Sequence, residues 1–347
     1  MRDAQTIANA PGQSPWSIPQ CPENVDYVDW GPDFGRRFVV TVDTEEDFDW
    51  NKPISDSGFG LESTALIERF QAFCRNQGVI PIYMVDYPII THAPTAEFLK
   101  SHVATGEASV GIQLHPWVNP PIEEQVNEIN SFAGNLPPEL ERAKLLTLTE
   151  AIDKAIGVAP IIYRAGRYGT GAHTAGFLKE AGVIFDSSVR SGFDYSAKGG
   201  PDYSRHPLAP YWLDRQALLA ELPLTTTFWG LLRKQSKLLY PMMRHTPLAR
   251  SLLSRTGMLE RIALTPEGIG IEEAIRAIDI AIDDGLPLLN FSFHSPSLQP
   301  GHTPYVRSEA HVDRLYDWWR RVLAYCAQRN IRAASLDDLS GGLRKAQ

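Results

Sequence analysis

The chain has 347 residues, of which 43% are hydrophobic and 21% charged, and carries a formal net charge of −8. That apolar mass is ample for a core, and the acidic balance gives no support for nucleic-acid binding, which calls for a basic surface. No apolar run approaches the length of a membrane span.

The first twenty residues, MRDAQTIANAPGQSPWSIPQ, show neither an apolar h-region nor an Arg-rich amphipathic pattern, so a cytoplasmic location is expected. Cys21, Cys74 and Cys326 form no C-x-x-C pair, and Cys74 and Cys326 fall in helix-like runs as buried thiols. This fits a reducing compartment. Residues 1–36, rich in Pro, Gly, Asp and Asn, read as an irregular arm, and residues 37–347 as one domain.

From Arg37 onward, short β-type runs alternate with helix-period segments. Strands are expected at 37–43, 79–86, 109–115, 160–166, 183–189, 218–225 and 286–294. Helices are expected at 63–78, 95–106, 137–157, 172–182, 270–285 and 309–330, with IRAASLDDL (331–339) as the closing unit. The helix at 137–157 starts on proline and stops at Gly157. Apolar strands separated by amphipathic helices imply a parallel sheet covered by helices, because parallel neighbours need a crossover. Seven or eight such units in one chain point to a closed or nearly closed barrel.

Residues 226–262 interrupt the rhythm with a basic stretch of helical period. It reads as a helical hairpin outside the barrel, with Phe228, Trp229, Leu231 and Leu232 packed inward. It is either a solvated positive face or a lid contacting an anionic substrate or a membrane.

In a βα-barrel, chemistry collects at the C-terminal ends of the strands. Here the first strand ends in Asp43, followed by Glu45, Glu46, Asp47 and Asp49. The later strands end in Asp86, His115, Tyr163–Arg164, Asp186 and His294. Each apolar run thus terminates in a group able to bind a metal, move a proton or hold an anion. A solvated acidic loop or a structural histidine would explain any one of them. Together they support acid–base or metal-assisted hydrolysis, with no Gly-rich phosphate loop and no G-x-S-x-G elbow.

TVDTEEDF, QLHPWVNPP, YRAGRYG, DSSV and NFSFHSPS, in that order, resemble the motif series of the polysaccharide deacetylase superfamily (NodB homology, carbohydrate esterase family 4), most closely its WalW-type branch. The resemblance spans roughly residues 37–340. It implies an α/β fold, a distorted (β/α)7-type barrel, and removal of an N-acetyl or O-acetyl group from a sugar or glycan precursor by metal-bound water. The catalytic base matches Asp43, the carboxylate ligand Glu45, and the base-orienting arginine Arg164. The general acid to the leaving amine matches His294. The second motif keeps His115 as a metal ligand but has Asn119 where a second histidine is usual.

That departure leaves a divalent site of Glu45, His115 and Asn119, suited to Zn²⁺ or to a harder ion such as Mn²⁺ or Mg²⁺. Gln113, on the strand face of His115, is a further polar contact to metal or substrate. Trp50, Trp117, Tyr168 and Tyr305 are candidate sugar-stacking surfaces. Two other readings stay open: a metal-independent amide or urea-type hydrolase on the same barrel, which Asn119 favours, and a glycan-binding barrel without turnover. The hydrolase readings require Asp43, His115 and His294 to open onto one cleft.

Overall fold

The computed structural model describes residues 17–243 and 246–347; residues 1–16 of the expected N-terminal arm, and Arg244 and His245 of the insertion, lie outside the described residues. Strands β1 (Arg37–Thr44), β2 (Ile82–Val85), β3 (Ser109–Leu114), β4 (Ile162–Ala165) and β5 (Phe185–Asp186) lie side by side in chain order. A hairpin of β6 (Tyr211–Asp214) and β7 (Leu219–Glu221) sets β7 parallel to β5. β8 (Thr226–Trp229) and β9 (Glu260–Ala263) pair as a separate antiparallel ribbon. β10 (Leu288–His294) returns to the other side of β1, and the short β11 (Arg332–Ala333) pairs with the start of β1.

The resulting order, β10-β1-β2-β3-β4-β5-β7-β6, is a curled, largely parallel sheet that forms a half-barrel, the distorted (β/α) architecture expected. Helices α1 (Ile67–Gln77), α2 (Tyr87–Thr91), α3 (Ala93–Ala104), α4 (Pro138–Ile156), α5 (Thr174–Glu180), α6 (Ser236–Met242), α7 (Pro247–Arg255), α8 (Ile271–Asp283), α9 (Glu309–Gln328) and α10 (Leu336–Ala346) complete the chain. Between β7 and β10 the sheet is closed by residues rather than by a strand. The Asn290 amide donates to Leu222 O at 3.2 Å, and Thr225 N donates to Asn290 O at 3.2 Å.

Strand alternation sorts the side chains into two populations. Val40, Val42, Tyr83, Val85, Ile112, Leu114, Phe291 and Phe293 belong to the core under the helices. Val39, Ile82, Met84, Ile162, Phe185 and Leu288, with the opposite parity, form a second core with Trp30, Phe34, Leu339 and Leu343. Further along the same inward parity come Thr41, Asp43, Gln113, Arg164, Asn290 and His294. The interior is therefore apolar at the N-terminal ends of the strands and polar at their C-terminal ends.

The structure adds detail to the sequence reading at three places and changes it at a fourth, the insertion. The N-terminal segment is irregular but not detached: Trp30 stacks on Phe34 at 4.6 Å and both are buried in the inner core. The closing unit becomes a helix after β11, because the Ser335 hydroxyl accepts Asp338 N at 3.0 Å and caps α10. Asp86 likewise caps the unexpected α2 by accepting Ile89 N at 2.9 Å. The insertion is helical only in its middle: TTFW, β-branched and aromatic, pairs as strand with 260–263. Phe228 is buried there, but Leu231 points to solvent.

Candidate active site

β1 and β10 place Asp43 and His294 opposite each other as register partners. His294 Nε2 lies 3.8 Å from Asp43 Oδ2. Arg164, inward from β4, binds Asp43 Oδ1 through Nη1. The rest of its guanidinium is spent on Thr41 Oγ1 at 2.9 Å, Ser187 O at 3.0 Å and Ser187 Oγ at 3.1 Å, so the fork is fixed in direction.

On its other side His294 Nδ1 is 2.7 Å from Glu267 Oε2, and Glu267 Oε1 accepts the His294 backbone N–H at 3.1 Å and the Ser297 hydroxyl at 2.5 Å. Burial alone would discharge the imidazole. The carboxylates of Glu267, Glu45 and Asp43 outweigh it and push the His294 pKa up to about 10.

His115 follows β3, stacked on Trp117 with ring centroids 4.2 Å apart. Its Nδ1 lies 2.9 Å from Glu46 Oε2, and the Trp117 indole donates to Glu46 Oε1 at 2.7 Å. One carboxylate thus holds both rings. His115 Nε2 is turned to the opposite side, 3.6 Å from Glu45 Oε2. Glu45 Oε2 also accepts the Gln113 amide at 3.3 Å, while Glu45 Oε1 and Gln113 Oε1 are buried with no hydrogen-bond partner among the described residues. Burial raises the Glu45 pKa to about 8, against the pull of His294 and His115.

Asp43, Glu45, Gln113, His115 and His294 all line one cavity of about 960 Å³. Trp50, Trp117, Tyr168 and Tyr305 line it too, with Trp50 edge-on to His294 at 5.3 Å. Tyr168 and the preceding Arg167 adopt left-handed backbone (φ 62° and 52°), a conformation costly for non-glycine residues and common where a site demands it.

Asn119 is not brought to the cavity. The chain turns after β3, with Val118 N donating to His115 O at 3.2 Å. Asn119 is buried instead against α4, its amide donating to Lys144 O at 2.9 Å and Pro120 O at 2.8 Å. Lys144 returns the contact through Asn119 O at 2.7 Å.

No protein-family model and no curated protein matches the chain. Among solved structures, a Mycobacterium smegmatis protein assigned as a polysaccharide deacetylase superposes with a TM-score of 0.52 at 17% identity, covering 92% of this chain and 94% of that one. The Puue allantoinase superposes equally, with a TM-score of 0.52 at 13% identity over 93% and 95% of the two chains. The chain shares its fold with both of these proteins.

Within this fold, three residues matter that sequence reasoning left without a role. Glu267 anchors His294 from the loop before α8. Glu46 and Asp86, with His115, place ligand-type atoms within 4.8 Å of one another, a buried group able to hold a metal ion. Its oxygens are already engaged: Glu46 by Trp117 and His115, Asp86 by Glu46 N and Ile89 N, both at 2.9 Å. Burial and the neighbouring Glu46 charge push the Asp86 pKa well above its ordinary value. The signal for Glu46 and Asp86 was present in TVDTEED and at the end of β2. Glu267 had none beyond its place in a Pro-Gly turn.

Proposed function

We propose that the chain is an amide hydrolase that removes an acetyl group from an N-acetylated sugar or glycan precursor. The observation that carries this reading is the Asp43–His294 pair, a carboxylate and an imidazole 3.8 Å apart on one cavity, each held from behind by a group of opposite charge. Asp43 Oδ2 takes a proton from the attacking water as the new C–O bond forms. His294, an imidazolium at neutral pH, gives its Nε2 proton to the leaving nitrogen as the C–N bond breaks. Arg164 orients the base, and Trp50 and Tyr305 offer faces for a sugar ring.

The residues fit a divalent cation on the cavity side of His115. With Nδ1 committed to Glu46, the ring has Nε2 free to ligate, the usual arrangement of a metal-bound histidine backed by a carboxylate. Glu45 and Gln113 each add a buried oxygen with no hydrogen-bond partner among the described residues. Such an ion, when bound, would polarise the amide carbonyl and lower the pKa of the attacking water. One nitrogen and two oxygen donors suit zinc or a harder ion such as Mn²⁺. This reading puts Gln113 where Asn119 was expected.

A metal-free amide or urea-type hydrolase remains a second reading, favoured by Glu45. A carboxyl with its pKa near 8 can stay protonated at neutral pH and donate to a substrate carbonyl without an ion. Elemental analysis of the purified protein, with acetate release from a panel of N-acetyl sugars before and after chelation, tests both. Acetate release lost on chelation and restored by metal supports the first reading. Turnover of ureides that survives chelation supports the second, and no turnover of either class defeats both.

A further inference from the structure

We infer that the 231–256 hairpin docks the protein on an anionic lipid bilayer. The inference is independent of the reaction proposed above.

The hairpin rises from the β8–β9 ribbon and is held at its base. Arg276 packs over the Trp229 ring at 4.5 Å, and Arg233 pairs with Asp283 at 3.7 Å. Around and beyond that base five large apolar side chains are turned out to solvent. Leu231 is 82% exposed, Leu238 62%, Met242 71%, Leu248 86% and Leu252 63%. Leu238 and Met242 are four apart on α6, and Leu248 and Leu252 four apart on α7, so each helix presents one apolar face. Isolated exposed leucines need no explanation, but five within one short hairpin do.

Charge selects the occupant. Residues 231–256 contain Arg233, Lys234, Lys237, Arg244, Arg250 and Arg255 and no Asp or Glu, in a chain of net charge −8. Helices with an apolar face and flanking cations lie in the interfacial plane of a bilayer, where the cations meet anionic headgroups. A protein partner is a poorer fit. A stable interface takes about 20–30 residues a side, and the five exposed apolar side chains here fall well short of that. No helix among the described residues is long and apolar enough to cross a membrane, so the contact is superficial.

The hairpin also stands on the cavity wall. Arg261 lies 4.9 Å from the Tyr240 ring and 3.4 Å from that of Phe193, and Arg190 lies 3.9 Å from Phe193 and 5.3 Å from Tyr168. This ladder of cations and rings runs from α6 to the cavity, and docking sets that wall against the bilayer.

Flotation of the full chain with phosphatidylcholine vesicles, plain or containing about one-third phosphatidylserine, tests the inference. The protein should float with the anionic vesicles at least about tenfold more than with the neutral ones, and release as salt is raised. The variants L238E/L248E/L252E and K234E/R255E change exposed positions, so each should keep the wild-type melting temperature and yet lose about tenfold or more of the flotation. No flotation of the wild type, or full flotation of a folded triple-leucine variant, overturns it. A dimer that L238E/L248E/L252E abolishes, seen without vesicle binding, also overturns it and gives the face to a second copy of the chain.

Discussion

Gly166 lies directly against the ring of His115: a Cβ placed there would sit 2.4 Å from His115 Cδ2 and 2.6 Å from Leu114 O. The backbone oxygen cannot yield, so the imidazole must. Gly166→Ala should therefore move the ring away from Glu45 and cut kcat about 10²-fold, as small misplacements of reacting groups do. The stability loss should stay within the ~1–3 kcal/mol of an overpacked core. Steady-state kinetics and a denaturant titration check both numbers, and an alanine variant of normal kcat would mean that the His115 position is not used.

Glu267→Gln tests the role proposed for His294 as general acid. With its pKa raised to about 10, His294 is charged throughout the neutral range, and its contribution as an acid is lost only as pH rises through that value. Burial opposes the charge, and Glu267 is the strongest influence sustaining it. The glutamine should move the alkaline limb of kcat/KM to lower pH by about one unit or more, one unit being worth about 1.4 kcal/mol. An unmoved alkaline limb would remove His294 from the proton path.

For the metal reading, Glu45→Ala and Gln113→Ala should each lower bound metal in the purified, folded protein, measured by elemental analysis and calorimetric titration. Glu46→Gln replaces no proposed ligand but alters the group that holds the His115 ring, and should weaken affinity by about 10–100-fold through the orientation of His115. If Glu46→Gln abolishes binding while Glu45→Ala leaves it intact, the ion belongs on the Glu46–Asp86 side of the ring.

Asn119→His would restore the H-x-x-x-H spacing of the resembling family. Because Asn119 is buried against Lys144 O and Pro120 O, the larger ring should cost about 1–3 kcal/mol of stability and add no metal affinity. Chemical denaturation with zinc titration decides it. A tightened zinc affinity would show that the loop turns its amide oxygen to the ion.

The polar strand ends were legible because parity is a property of sequence. Once β1, β3, β4 and β10 are recognised, Asp43, Gln113, Arg164 and His294 fall on one face. Asn119 was misleading because spacing after a strand says nothing of the direction of the next turn, and here Pro116 and the Val118 hydrogen bond send the chain toward α4. Glu267 was invisible for a related reason: its bond to His294 joins a loop of no periodicity to a strand 27 residues on. The strands flanking the insertion were hidden by the helical period of LLRKQSKLLY between them.

The seam between β7 and β10 joins the half-barrel's two sides through Asn290 rather than a continuous ladder. Asn290 also donates to Ser187 Oγ at 2.9 Å, and that same oxygen accepts from Arg164. Segments secured by few backbone bonds open at lower free energy than ladders do. The Thr225 amide, which bonds across the seam to Asn290 O, should then exchange before those of β1 and β2. Each such opening should also loosen the guanidinium that holds Asp43, so the breathing of the seam would set how long that carboxylate keeps its direction.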